Sequence, residues 1–428
     1  MPIKKIVFTF SSLLIQLAAF SENRFPKPDF ESGYQYPDIH YAIPHESFWQ
    51  IVDLILLVVL MSIVSWAVIK RQTRKPIIWV SVISVAYFGF FRVGCVCSIG
   101  SVQNVALSVA DSTYILPVTV LLFFILPMVF AFFFGRVFCG GVCPFGALQE
   151  LVNLKNYQLS KSLTTALSVI PWVYLTFGVL YAVTRSTFII CRYDPFIGIF
   201  RQGGDFGLII FGTLLLVVSI FTGRPFCRFI CPYGVLLGLI SRVSIWKIQI
   251  TKQNCINCEL CHNACPVDAI RAPHENKVKE NRMVGVKRII NYAVILPALV
   301  VTTALLMRYA SNDLSRAHKE VRLYNMIVPQ ETNPPNSLPL ELETFYSQGR
   351  TVDELTKNVE RIQVDYKLYS TLAGGLIGFV IGITLIGLST KRSRKEYEIE
   401  HADCVACGRC FSYCPQNLAA SKPGFQTL

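Results

Sequence analysis

Seven strongly apolar runs, most of them close to the length of a transmembrane helix, divide this chain. About 20 apolar residues are needed to cross a hydrocarbon core about 30 Å thick, so each run is a candidate span. Of the 428 residues, 53% are hydrophobic and only 16% are charged, which is too little polar surface to coat a soluble fold of this size. The predicted spans are 51–69, 77–94, 115–134, 166–183, 206–221, 289–307 and 368–388.

The positions of the basic residues explain the net charge of +13. A basic chain can bind nucleic acid, but in membrane proteins Lys and Arg gather in cytoplasmic loops. Three basic groups fall on one face when the spans alternate, which predicts a bacterial inner-membrane protein with that face in the cytoplasm and no nucleic-acid partner. The groups are Lys70, Arg71, Arg74 and Lys75; Lys277, Lys279, Arg282, Lys287 and Arg288; and Lys391, Arg392, Arg394 and Lys395.

The N-terminal region allows two interpretations. Lys4 and Lys5 precede an apolar run at 6–20, and the small residues near Ser21 suit cleavage by signal peptidase. Either residues 1–21 are a signal peptide or they form an extra span. Both interpretations place the next segment, 22–48, in the periplasm.

One motif occurs twice in the membrane region. Residues 135–146 are GRVFCGGVCPFG and residues 223–234 are GRPFCRFICPYG, so both copies have the form G-R-x-F-C-x-x-x-C-P-(F/Y)-G. Each copy follows a span that runs from outside to inside. The membrane core is therefore predicted to consist of two similar halves related by pseudo-symmetry.

Each copy of this motif contains two cysteines four residues apart. A helical turn would place such a pair on one face, and the proline after the second cysteine suits the first position of a following helix. The second cysteine would then cap a helix N-terminus, where the macrodipole favours thiolate. The pairs are candidates for a membrane cluster or for redox thiols, and the alternative is that they are small packing residues. These cysteines are Cys139, Cys143, Cys227 and Cys231.

Three further cysteines lie near the opposite membrane face. Cys95 and Cys97 follow the second span, and Cys191 follows the fourth. They are candidates for a second metal site or a disulfide, or equally for packing residues, because their spacing matches no clear ligand pattern. All six histidines fall outside the spans, which argues against haem b as the membrane cofactor.

Two cysteine runs of the form C-x2-C-x2-C-x3-C-P lie outside the spans, one before the sixth span and one after the seventh. In two-cluster ferredoxins the first three cysteines of such a run bind one cluster and the fourth binds the other. Structural zinc also uses C-x2-C pairs, but two complete runs favour two 4Fe-4S clusters. The predicted ligands are Cys255, Cys258, Cys261 and Cys414 for cluster 1, and Cys404, Cys407, Cys410 and Cys265 for cluster 2.

Crossed ligation requires both runs to fold together, although two spans separate them. The predicted fold is an all-α polytopic membrane protein with about seven spans, plus the N-terminal signal or extra span, and a split bacterial-type ferredoxin module with two 4Fe-4S clusters. A helical pattern at 342–364 is expected either to dock a partner or to lie on the membrane. The predicted segments after 22–48 are a membrane core at 49–246, a first ferredoxin half at 247–288, a span at 289–307, a periplasmic loop at 308–367, a span at 368–388 and a second ferredoxin half at 389–428.

The repeated C-x3-C-P motif, followed by two ferredoxin runs, resembles the polyferredoxin family of membrane proteins, which includes the NosR and NapH types. The resemblance covers roughly 95–265 and the C-terminal run. It implies that electrons pass between the quinone pool or cytoplasmic donors and periplasmic acceptors, with the four cysteines of the repeated motif in the family's membrane positions. The segment at 22–48 is much shorter than the flavin-binding domain of the NosR type, so flavin is expected only on a partner.

The leading functional hypothesis is a transmembrane electron conduit. It would be an electron-transfer subunit of an oxidoreductase complex, between a cytoplasmic ferredoxin-like donor or quinol and a periplasmic flavin- or metal-containing protein. The alternatives are a redox assembly or maturation factor that reduces a metal or disulfide, and a redox sensor. The conduit predicts a stoichiometric partner, whereas the maturation factor predicts normal electron flux and an unmetallated target.

Overall fold

The computed structural model describes residues 47–94, 97–201, 205–250, 255–274, 282–327, 340–347, 349–389 and 394–420. The predictions for the N-terminal segment up to residue 46 and for Cys95 lie outside these ranges. Within them, nearly all regular structure is helical. This follows from the apolar sequence, because inside a bilayer each backbone polar group must find its hydrogen-bond partner within the segment.

Helices occur at each of the seven predicted spans. Among the described residues, four helical segments are long and apolar enough to cross a membrane, or five if α9 and α10 form one bent span, whereas α2 and α4 are apolar but shorter. Short π-helical segments, 67–71 and 85–91, extend α1 and α2. The membrane helices are α1 (Ser47–Trp66), α2 (Lys75–Ser84), α3 (Ser98–Ala110), α4 (Val118–Phe134), α5 (Pro144–Val152), α6 (Lys161–Leu167), α7 (Ile170–Val183), α8 (Ile189–Arg192), α9 (Pro195–Arg201), α10 (Phe206–Phe221), α11 (Pro225–Phe229) and α12 (Pro232–Ser241).

Of the short helices α3, α5 and α12, the sequence predicts α5 and α12 from the proline after Cys143 and after Cys231, but not α3, which is interrupted by glycine and serine. Each begins directly after a cysteine, since Cys97, Cys143 and Cys231 are their N-cap residues. Helices α3 and α12 both pack against α4 and α7, and α5 packs against α2 and α10. The short helices therefore bring three cysteines into the core formed by the longer ones.

The last two membrane helices, α14 (Arg282–Tyr309) and α18 (Val352–Ser389), pair along a stripe of glycines. Gly374, Gly378 and Gly382 of α18 face α14, and a side chain at Gly378 would lie 2.6 Å from the Leu299 carbonyl oxygen. Small residues at four-residue spacing allow such close approach of membrane helices. This pair connects the two cysteine runs through the membrane.

The segment between these helices has a small hydrophobic core of its own. It contains α15 (Ser311–Ser315), α16 (Lys319–Ile327), α17 (Leu340–Ser347) and the first turns of α18. The helical pattern at 342–364 is not one separate helix, because it breaks at Gly349 (φ 67°) and then continues without interruption into the seventh span. Leu355 and Val359 are buried in this core, so the stretch does not lie on the membrane as an isolated amphipathic helix.

A two-stranded antiparallel sheet joins the two cysteine runs. Strand β1 (Ile270–Arg271) pairs with β2 (Glu398–Ile399), and the N–H group of Glu400 donates to the carbonyl oxygen of Ala269 at 2.8 Å. The short helices α13 (Leu260–Ala264) and α19 (Arg409–Tyr413) pack together beside this sheet, and α20 (Pro415–Ala420) follows. Two segments far apart in sequence thus form one folded unit.

Candidate functional site

The two cysteine runs have the same backbone course. In each, the residues on either side of the second cysteine have positive φ, and a one-turn helix, α13 or α19, then contains the third cysteine and ends before the fourth. Left-handed residues at these points turn the chain sharply, so that successive sulfur atoms face a common centre. The left-handed residues are Asn257 (φ 53°), Glu259 (φ 62°), Ala406 (φ 53°) and Gly408 (φ 72°).

Four cysteines drawn from both runs line one cavity. Cys404, Cys407 and Cys410 come from the second run, and Cys265 is the fourth cysteine of the first run. The Ala269 N–H group donates to the Cys265 sulfur at 3.2 Å. Four thiols in an apolar enclosure, with a backbone donor to sulfur, are the donor set that a 4Fe-4S cluster requires. The apolar wall is formed by Ile248, Val267, Ile270, Ile399 and Val405.

The cysteines of this cavity are half-buried, and the apolar wall separates their thiols from water. Burial raises the pKa of the Cys404 thiol to about 12 and the pKa of the Cys407 thiol to about 11. Iron binds thiolate and not thiol, so bound iron has to provide the positive charge that keeps these sulfurs ionised. Cofactor binding at this cavity therefore releases protons.

The remaining four cysteines of the two runs form a second, more exposed set. Cys255, Cys258 and Cys414 all act electrostatically on the Cys261 thiol, so the last cysteine of the second run lies near the first three of the first. Cys258 is exposed and the others are half-buried. Within the described ranges, no three Cys, His, Asp or Glu side chains converge closely enough to bind a single metal ion. A cluster differs from an ion because it spreads its ligands over several iron atoms.

The two C-x3-C-P motifs meet in the membrane core. Cys143 caps α5 and Cys231 caps α12, each with proline at the first helical position, as the sequence predicts. The Cys231 sulfur accepts the N–H group of Gly234 at 3.3 Å. Cys139 lies in a π-helical segment, 138–142, rather than in an α-helix.

The four membrane thiols act electrostatically on one another, and two of them have a side-chain N–H donor nearby, Cys227 from the opposite half and Cys139 from its own motif. Gln149 accepts the backbone N–H group of the residue before Cys227 at 3.0 Å and places its own Nε2 atom 3.6 Å from the Cys227 sulfur. Arg136 places Nη2 3.8 Å from the Cys139 sulfur. Positive charge and N–H donors next to sulfur stabilise thiolate, the form that binds metal or exchanges electrons.

Sequence reasoning missed Glu150, the residue after Gln149. Its buried carboxylate accepts hydrogen bonds from Arg74 at 2.8 Å, Arg224 at 3.0 Å and Arg409 at 2.6 Å. Arg224 belongs to the second membrane motif, and Arg409 lies between two cysteines of the second ferredoxin run. The signal available in the sequence was the arginine shared by both G-R-x-F-C motifs. One carboxylate thus links the membrane motifs to the ferredoxin run.

The second ferredoxin run packs directly on the membrane motifs. Arg136, the counterpart of Arg224 in the first motif, donates to the Ala402 carbonyl oxygen at 2.8 Å. Ser241, at the end of α12, donates to the His401 carbonyl oxygen at 2.9 Å. The residues just before Cys404 therefore lie against the membrane motifs, and the residues just after Cys404 lie against Gly140, which follows Cys139.

Gly140 is the closest point of this contact, and Gly140→Ala should weaken it. A methyl group there would lie 2.9 Å from the Ala406 carbonyl oxygen, which belongs to rigid backbone. Overpacking of this kind costs about 1–3 kcal/mol. Thermal unfolding in detergent should show a lower midpoint for Gly140→Ala than for Gly207→Ala, since a methyl group at Gly207 meets no atom within 4 Å. Equal midpoints would show that the two loops are not in contact.

The structure also brings together two of the three remaining cysteines. Cys97 caps α3 and its sulfur accepts the N–H group of Gly100 at 3.4 Å. Cys191 lies in α8, and its thiol acts electrostatically on Cys97. Cys95 lies outside the described residues.

Comparison with known proteins agrees with this geometry. A family model described as a 4Fe-4S binding domain matches residues 116–160 and again 205–251, and each match contains one copy of the C-x3-C-P motif. A second 4Fe-4S binding domain model matches residues 248–271, around the first ferredoxin run. The chain is therefore an iron-sulfur protein with apolar helices that are able to cross a membrane.

Several known proteins are similar to part of this chain. The regulatory protein NosR of Stutzerimonas stutzeri is 30% identical over 207 residues, 44% of this chain and 28% of NosR. The putative electron transport protein YccM of Escherichia coli is 30% identical over 148 residues, 31% of this chain and 41% of YccM. Protein NirI of Paracoccus denitrificans is 32% identical over 153 residues, 32% of this chain and 22% of NirI.

These matches confirm the resemblance to membrane polyferredoxins of the NosR and NapH type. In each of the three, the matched region spans less than half of the relative's own length. No solved structure gives a significant match.

Proposed function

We propose that this protein is the membrane-bound electron-transfer subunit of an oxidoreductase complex. It moves electrons between a cytoplasmic donor or quinol and a periplasmic flavo- or metalloprotein. The observation that supports this most strongly is the packing of the second ferredoxin run on the membrane thiols, through Arg136, Gly140 and the Glu150 carboxylate. Carriers that exchange electrons have to lie close together. If the membrane cysteines were only packing residues, they would not need to lie next to the ferredoxin run.

Electrons would pass through the two cysteine sets one after the other. The set around Cys261 is the more exposed and would hold the cluster that meets a soluble partner. The set that includes Cys265 and Cys404 is buried against the membrane core and would hold the second cluster. When bound, a 4Fe-4S cluster supplies one-electron oxidation and reduction.

The residues of this chain would position and tune these carriers. The sheet of β1 and β2 holds the two runs in the register that crossed ligation needs. Arg136 and Gln149 place N–H donors at the membrane sulfurs, which favours their ionised or electron-rich form. The apolar enclosure around Cys404 keeps water away from its sulfur.

The orientation follows from charge. Groups of Lys and Arg border the spans on the face that also bears both cysteine runs, and such groups favour the cytoplasm. The ferredoxin unit would then be cytoplasmic in a bacterial inner membrane, and the small core that contains Leu355 and Val359 would be periplasmic. A partner with flavin or metal would receive or supply electrons there.

A set of cysteine variants tests the crossed ligation on which this proposal depends. Anaerobically purified protein should contain about eight irons per chain if only the two ferredoxin clusters are present. In EPR-monitored redox titrations, Cys414→Ser and Cys258→Ser should remove or alter one signal, while Cys265→Ser and Cys407→Ser should affect the other. If Cys414→Ser instead affects the same signal as Cys407→Ser, the ligation is not crossed. Fewer than two clusters after reconstitution would overturn the proposal.

A further inference from the structure

The sequence around Cys97 repeats part of the motif around Cys143. Residues 97–103 are CSIGSVQ and residues 143–149 are CPFGALQ, so both have the form C-x2-G-x2-Q. In both, the cysteine is the N-cap of a short helix, α3 in one case and α5 in the other. The region after the second span therefore resembles the membrane thiol site in sequence and in local structure.

The glutamine of each copy holds a loop that contains a cysteine of the other half. Gln149 Oε1 accepts the backbone N–H group of the residue before Cys227, at 3.0 Å. Gln103 Oε1 accepts the backbone N–H groups of Ile190 at 3.0 Å and Cys191 at 3.2 Å. Gln103 thus accepts a backbone hydrogen bond at Cys191, as Gln149 accepts one from the residue just before Cys227.

The glycine of each copy faces the same sulfur that the glutamine positions. A Cβ atom at Gly146 would lie 3.4 Å from the Cys227 sulfur. A Cβ atom at Gly100 would lie 2.8 Å from the Cys191 sulfur and 4.0 Å from the Cys97 sulfur. The two sulfurs are therefore no farther apart than the sum of these distances, and no side chain fits between them and α3.

We propose that Cys97 and Cys191 form a second sulfur redox centre at the edge of the membrane core, where Cys97 is half-buried and Cys191 is exposed, a dithiol that cycles with a disulfide. This inference rests on the proposed function, which supplies the electrons. Two contacts hold the Cys191 sulfur close to Cys97. The Gln103 side chain fixes the backbone of Ile190 and Cys191, and the absence of a side chain at Gly100 lets the sulfur approach α3, an arrangement that suits a disulfide. Tyr174 lies beside this pair, since its hydroxyl donates to the carbonyl oxygen of Ile189, two residues before Cys191, at 3.5 Å.

The redox step balances with groups already named. Reduction breaks the S–S bond, and the two sulfurs take up two electrons, one at a time, together with two protons. In the reverse direction the two thiols pass two electrons to a two-electron acceptor, the flavin class of the proposed periplasmic partner, and release two protons. Asp194, whose carboxylate acts electrostatically on both thiols, is placed to accept one proton, and water accepts the other. The pair would join one-electron carriers to a two-electron acceptor.

Peptide mass spectrometry on the full chain in sealed vesicles tests this centre. With the ferredoxin runs facing the medium, the mild oxidant diamide should produce a peptide cross-linked between Cys97 and Cys191. Dithionite, which does not cross the membrane, should then reduce that bond through the protein, and Cys227→Ser should prevent this while leaving reduction by membrane-permeant dithiothreitol intact. Failure to form the cross-link would overturn the inference.

Two further outcomes separate this inference from the proposed function. If the bond forms but dithionite never reduces it, while EPR shows both ferredoxin clusters reduced, the pair is not an electron carrier and the inference fails alone. If the clusters are absent, the proposed function fails, and the cross-link still reports on the pair. Gly100→Ala should abolish the cross-link by displacing the Cys191 sulfur, whereas Gly207→Ala should leave its yield unchanged.

Discussion

Replacing Glu150 by glutamine should destabilise this protein more than any other single change of one charged side chain. The Glu150→Gln variant keeps the shape of the side chain but leaves Arg74, Arg224 and Arg409 without the carboxylate that they share. Arg224 is fully buried and Arg409 is nearly so, so neither regains water easily. Removing one partner of a buried ion pair costs about 3–5 kcal/mol. The midpoint of thermal unfolding in detergent should fall sharply, and bound iron should be lost at the same temperature.

Glu398→Gln is the matched control for this variant. Glu398 pairs with Arg394 at 3.3 Å, but its side chain is 53% exposed. Exposed ion pairs contribute about 0–1 kcal/mol, so this control should unfold close to the wild type. If Glu150→Gln and Glu398→Gln unfold together, Glu150 does not hold the ferredoxin run on the membrane core.

Removing a membrane sulfur should stop electrons from crossing the bilayer while leaving the ferredoxin clusters intact. In Cys231→Ala, the thiol that caps α12 is lost, but the Glu150 ion pairs and the β1–β2 sheet remain. In sealed vesicles with an enclosed oxidant, external dithionite should still reduce both clusters. Electron delivery to the enclosed oxidant should fall to the rate of vesicles without protein, because the step from the ferredoxin unit to the far face then has no carrier.

Val142→Ala provides the packing control for that experiment. Val142 is as deeply buried as the cysteines on either side of it, and its replacement leaves all four sulfurs in place. Flux should persist in this variant even if its unfolding midpoint falls. Wild-type flux in Cys231→Ala would show that the membrane cysteines are packing residues.

The candidate site could be predicted from the cysteine spacing more completely than the fold could be predicted from the hydropathy. The C-x2-C-x2-C-x3-C-P runs anticipated a shared unit, and the structure brings Cys265 into one cavity with Cys404. Proline after Cys143 anticipated a helix N-cap, since proline lacks the N–H group that a first turn leaves unpaired. Apolar runs located a helix at each of the seven predicted spans because the bilayer enforces helix on such runs, although among the described residues only four helices, or five with the bent pair, are long enough to cross.

Long-range pairing was beyond the sequence. Nothing local to Glu150 shows that arginines from three distant segments surround it, because an ion pair depends on tertiary packing and not on spacing. The short helix α3 was also not predicted, since it is too short to give a hydropathy signal, has no proline after its N-cap cysteine and gains its stability from neighbours. The C-x2-G-x2-Q similarity was present in the sequence, but its meaning depended on the contacts of Gln103 and Gln149.

The sheet of β1 and β2 has a consequence for biogenesis. Its two strands come from opposite ends of a segment that includes α14 and α18, so the sheet forms only after that helix pair has been inserted and the C-terminus has returned. Until then Cys265 has no partners from the second run, and neither cysteine set is complete. If the two runs share their clusters as proposed, cofactor loading would be coupled to complete membrane insertion, and a chain arrested during translation would not expose a half-built redox centre to oxygen.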